Sequence, residues 1–153
     1  MTDSALTWRS WARIVRLRVR LIWPEVVLIQ VCVLIAALCR GLDYLAPPVG
    51  STATLSVVER TMPLPAWGVM FVAGGLLGLA GLRVDRWPLT SFGHAVLAAT
   101  YAGFAVGAYC EVLGRASVEG YRTPTDWLLV FGVVHWGFAD AALDVWRERR
   151  RSG

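Results

Sequence analysis

Four apolar stretches of about 18 to 21 residues, each long enough to cross a hydrocarbon layer of about 30 Å, occupy more than half of this chain. The whole chain has only 153 residues, so the intervening segments are too short to bury a second core. That excludes a separate soluble catalytic or nucleic-acid-binding domain. An apolar content of 56% beside 17% charged residues points the same way. The expected fold is all-α: a four-helix transmembrane domain over residues 22–146, up-down in topology, with spans at about 22–39, 65–82, 92–113 and 127–146.

Residues 1–21 precede the first span. On a helix at 100° per residue, Arg9, Arg13, Arg16 and Arg20 fall within an arc of about 60°, while Trp8, Trp11, Val15 and Val19 take the opposite side and only Arg18 breaks the pattern. A basic face opposite a Trp-rich one predicts an amphipathic helix lying in the interface, its four arginines reaching lipid headgroups. A solvated basic flank that merely orients the first span is the plainer alternative.

Pro24 suits the first turn of span one and Arg40 is expected to close it. In the following loop, Ser51 to Met62 is compatible with a short helix resting on the membrane surface, with Leu55, Val58 and Met62 on one side. The segment from Arg83 to Pro88 is too short for anything but an antiparallel turn between spans two and three. Residues 147–153 form a basic tail. The fifteen basic residues are all arginine, and eleven of them flank one side of the spans against four on the other. Cytoplasmic flanks retain positive charge during insertion, so the reading is a multi-pass protein of the cytoplasmic membrane with both termini cytoplasmic. Arginines placed where spans meet water read as topological and lipid-facing, and no nucleic-acid partner is expected.

Span two carries Gly74, Gly75, Gly78 and Gly81, and span three carries Ala99, Gly103 and Gly107 at four-residue intervals. Small residues at that spacing let helix backbones approach closely. Gly74, Gly78, Gly103 and Gly107 are therefore candidate contacts, either within one bundle, the simpler reading, or between copies in a homo-oligomer or a larger membrane complex.

Ionisable groups at membrane depth are costly and each raises a functional hypothesis. Glu25, Glu111 and Asp144 lie near span ends and read as interfacial, and His94 falls within a turn of the cytoplasmic end. His135 and Asp140 lie deepest, and His94, His135 and Asp140 form the candidate intramembrane polar site, with a His94–Asp140 pair between spans three and four as its conjectural core. Such a pair is compatible with a proton relay, a gate or a structural bond, and the structural bond is favoured because a transporter needs a fuller chain of polar groups.

No catalytic motif occurs in its proper context, so no enzyme is expected, and no cofactor or metal is implied. Cys32, Cys39 and Cys110 lack metal-ligand spacing and read as buried apolar thiols, with a Cys39–Cys110 disulfide as a lesser alternative.

The order of features resembles small four-span membrane proteins of actinobacterial bacteriophages, which are holin-like. The residues behind the resemblance are Trp67-Gly68 opening the glycine-rich span with Gly74, Gly75 and Gly78, the Arg83 to Arg86 turn, the Ala-rich third span ending near Tyr109, and Trp127 opening a fourth span with an arginine tail. It covers residues 22–150 in plan, and no site residue is carried over by it. The resemblance implies a protein that accumulates in the cytoplasmic membrane, oligomerises and permeabilises it. Beside it stand two other expectations: a non-enzymatic accessory or assembly subunit of a larger membrane complex, and a small proton-coupled channel or carrier built around His135 and Asp140.

Overall fold

In a computed structural model the protein is described over residues 24–46, 56–114 and 122–152, and among these it is helical with no strand. The interfacial helix expected over residues 1–21, with Arg9, Arg13, Arg16 and Arg20, lies outside the described residues, as does Leu55. The long elements are α1 (Pro24–Leu45), α3 (Leu64–Arg83), α4 (Trp87–Leu113) and α6 (Val133–Ser152). Short helices α2 (Ser56–Thr61) and α5 (Arg122–Thr125) lie between them, and a π-helical stretch, Asp126–Gly132, runs into α6. Four helices are long and apolar enough to cross a membrane: α1, α3, α4 and the continuous run Asp126–Ser152. The chain is a membrane protein.

Consecutive long helices pack antiparallel. α1 meets α3 where Gly41 faces Gly68, Leu38 faces Gly75 and Leu34 faces Gly78. α3 meets α4 where Gly81 faces Thr90, Gly78 faces Gly93 and Gly74 faces Leu97. α4 meets α6 where Ser91 Oγ donates to the Ala139 carbonyl at 2.8 Å. α3 is thus clasped between α1 and α4, and its glycines face both ways. Without side chains there, α3 comes close enough to both neighbours for dispersion to act at these positions, in place of the hydrophobic effect that lipid does not supply.

The core is aromatic. Phe71, Tyr101 and Phe104 are almost fully buried, Tyr44 stacks on Phe104 with centroids 5.2 Å apart, and Trp67 and Trp127 meet Phe104 edge-on. Outward-facing positions are large and apolar, including Leu28, Ile35, Leu76, Val106 and Trp136, as hydrocarbon contact requires.

Several boundaries differ from the expected ones. Arg40 does not close the first span; α1 continues through it to Leu45. α4 begins at Trp87 rather than near residue 92, because Pro88 sits in its first turn, where a missing N–H is harmless. The turn is therefore only Val84-Asp85-Arg86, with Asp85 at φ 53°, a left-handed conformation that Asp tolerates better than most residues. The basic tail stays helical to Ser152, and Arg149 pairs with Asp85 while its guanidinium lies over Trp87, tying the end of α6 to the α3–α4 turn. α2 does not rest passively on the surface, because Val58 is 1% exposed and inserts against Gly107 of α4. Cys32, Cys39 and Cys110 are free and exposed on helix surfaces rather than buried.

Candidate functional site

Trp127, Phe131 and His135 are spaced four residues apart, so they share one face of the last span, and that face turns toward α4. On α4, His94, Leu97, Tyr101 and Phe104 form the opposing stripe, all buried. The two stripes run antiparallel, which brings His94 level with His135. Their Nδ1 atoms stand 2.7 Å apart, a hydrogen bond in which one imidazole donates and the other accepts. Neither side chain has any exposed surface. Tyr101 stacks on His135 with centroids 5.4 Å apart and planes 11° from parallel, and Phe138 lies beside the His94 ring at 5.2 Å.

Helix spacing places the pair about 10 Å along α4 from Trp87 and about 16 Å along α6 from Trp146, well inside the apolar layer. The expected His94–Asp140 pair is not formed. Asp140 lies five residues beyond His135, which turns it about 140° around α6, away from the stripe that meets α4; it is half-buried on another face. His94, expected near the cytoplasmic end, is deeper because α4 starts five residues earlier than the hydropathy suggested.

Two further polar groups join the interior: Gln30, which the sequence reading does not single out, and Arg40, which it places at the end of the first span. Gln30 is fully buried, and neither its amide nitrogen nor its amide oxygen has a hydrogen-bond partner among the described residues. It lies one turn along α1 from Leu34, which packs on Gly78, which in turn faces Gly93, so it approaches the level of Thr90 and Ser91 just below the histidines. Arg40 sits with its guanidinium 5.4 to 5.6 Å from the ring centroids of Tyr101, Trp127 and Phe131. Cation–π attraction to three faces explains how a span can run past an arginine. The signal for both is present in the sequence: a lone Gln, and an Arg followed by Gly41 to Leu45, a little over one more helical turn. A contiguous polar and aromatic string therefore runs from His94 through His135 and Tyr101 to Arg40.

Four buried atoms along the string or beside it lack a partner among the described residues: Thr90 Oγ1, His94 Nε2, His135 Nε2 and the Tyr101 hydroxyl. Among the described residues no group of three or more His, Cys, Asp or Glu assembles that would hold a metal ion.

The candidate glycines are all engaged within the chain. A Cβ on Gly74 would stand 2.8 Å from Leu97 Cγ, and one on Gly78 would stand 2.5 Å from Leu34 Cδ2. One on Gly103 would meet the Trp67 ring at 2.9 Å, and one on Gly107 would meet Val58 Cγ2 at 2.6 Å. Packing inside the bundle therefore uses the faces that were also candidates for contacts between copies, and those faces are closed to a second chain while the bundle is intact. Comparison of the chain with protein-family models, curated proteins and solved structures finds no match.

Proposed function

We propose that the chain is a holin-like protein of the cytoplasmic membrane, which accumulates there, self-associates and opens it, as the resemblance to four-span phage proteins implies. The supporting observation is the outer surface. Leu28, Ile35, Val69, Leu76, Phe92, Val106, Leu129, Val133 and Trp136 are all exposed, so every long helix offers an apolar face to lipid or to another copy. Because Gly74, Gly78, Gly103 and Gly107 are occupied internally, contact between copies falls on α6. There a Cβ on Gly137 would meet nothing within 4 Å, and Trp136 beside it is 67% exposed.

In this reading the four helices form an up-down bundle, which their antiparallel packing supports. Both ends of the chain lie on the cytoplasmic side. Arg83, Arg86, Arg147, Arg149, Arg150 and Arg151 are gathered at one end of the helices through the Asp85–Arg149 pair, and positive charge is retained on that side.

The test is membrane potential, followed by a dye together with optical density, in bacteria making the full-length protein at controlled levels. The expected result is abrupt depolarisation after a delay, lost in Gly137→Leu at unchanged amounts of inserted protein. A steady potential with abundant inserted protein overturns the reading and favours the accessory subunit of a larger complex.

A further inference from the structure

We propose that His94 and His135 form an intramembrane proton-transfer site, a function independent of lesion formation. A neutral imidazole has one N–H and one lone pair, so a bond between two Nδ1 atoms forces opposite tautomers. The donating ring has its proton on Nδ1 and a bare Nε2. The accepting ring carries its proton on Nε2. Both Nε2 atoms are buried and bonded to no described group. The pair therefore has a proton acceptor at one end, a proton donor at the other and a hydrogen bond between them.

The step balances. A proton reaching the bare Nε2 forms an N–H bond there. The Nδ1–H bond of that ring breaks as an Nδ1–H bond forms on the partner, and the partner's Nε2–H bond breaks to release its proton. One proton enters, one leaves, and no electrons change hands. The pair is left in the mirror-image tautomer, so further transfer in the same direction requires the bond between the rings to open and each imidazole to exchange protons separately. Transfer is accordingly slow and carrier-like rather than a continuous wire.

The surroundings suit this role better than a bond that only holds two helices together. A structural contact needs one nitrogen from each ring, and a hydroxyl such as that of Thr supplies such a bond from a single polar atom, whereas each imidazole buries a second nitrogen that has no partner among the described residues. Gln30 and Thr90 bring polar atoms that have no partner among the described residues to the neighbouring level on one side, and the Tyr101 hydroxyl does so on the other. The titratable and charged groups around the pair are few: Tyr101 against His135, Arg40 over the Tyr101 ring, and Asp140 on another face of α6. No carboxylate among the described residues is hydrogen-bonded to either imidazole to fix its tautomer.

The test uses full-length protein in phosphatidylethanolamine and phosphatidylglycerol vesicles, with trapped pyranine reporting internal pH after an external acid step under a potassium–valinomycin clamp. Parallel vesicles hold carboxyfluorescein. The expected result is acidification faster than in protein-free vesicles with carboxyfluorescein retained, which separates proton transfer from lesion formation. His94→Asn and His135→Asn keep a hydrogen-bonding group where Nδ1 stood but have no second ring nitrogen, and each is expected to lower the protein-dependent rate roughly tenfold or more at unchanged helicity. Wild-type vesicles no faster than protein-free ones, or Asn variants as fast as wild type, overturn the proposal. Should the Asn variants not insert, nitrogen NMR of histidine-labelled wild-type protein decides: two tautomers in exchange at both rings support the site, and one frozen tautomer at each ring overturns it.

Discussion

Gly93 on α4 lies against Gly78 on α3 so closely that a Cβ on Gly93 would overlap the Gly78 backbone, standing 2.8 Å from its Cα. The contact sets how near the two helices come, and the next residue along, His94, turns toward α6 to meet His135. Backbone cannot yield as a flexible side chain can, so the approach admits no larger residue.

Gly93→Ala should therefore force α3 and α4 apart and lower stability by about 1–3 kcal/mol. Gly137→Ala, where a Cβ meets nothing, should be neutral or raise stability by up to about 1 kcal/mol through helix propensity alone. Reversible unfolding in mixed micelles titrated with sodium dodecyl sulfate compares the two. Equal effects would show that the close approach of Gly93 and Gly78 is not what holds α3 to α4.

Gln30 has two buried amide atoms without a partner among the described residues, so its burial is a cost rather than a gain. Gln30→Leu, of similar size, is expected to raise stability in the same titration by about 1–3 kcal/mol. A fall instead would mean that the amide is bonded in the membrane, to the histidine pair or to water that reaches it.

Arg40 lies over three aromatic rings from two other spans. Arg40→Met keeps much of the aliphatic stem but loses the cation, and thermal unfolding should report a loss of about 0.5–2 kcal/mol. Arg40→Lys, whose compact ammonium cannot lie flat across the rings, should fall between the two. A Met variant as stable as wild type would mean that the rings pack equally well without the charge.

The histidine site was half legible. Both imidazoles stood out because an ionisable group is costly in hydrocarbon, but their pairing was not visible. His94 looked shallow because hydropathy begins its span near Phe92, whereas the polar and proline-bearing segment Trp87-Pro88-Leu89-Thr90-Ser91 is also helical. Asp140 looked like its partner because depth along a helix can be counted from sequence, while the direction a residue faces depends on which side the neighbouring helix packs. Gln30 and Arg40 differ for a related reason: an apolar average hides a single polar residue held inside, as with Gln30, and a charge reads as the end of a span, as with Arg40, although α1 runs on to Leu45.

The number of spans and the membrane setting were determined by sequence alone, because crossing lipid demands long apolar helices whatever their neighbours. The glycine spacing likewise determined that backbones would approach closely. Tertiary structure alone decided which partner each glycine meets, Leu34 for Gly78 and Val58 for Gly107, and so whether those faces remain open to another copy. It also decided that His94 meets His135. Azimuth and register between helices arise from packing across the whole bundle, in which contacts among α1, α3, α4 and α6 are satisfied together, and no local stretch of sequence contains that information.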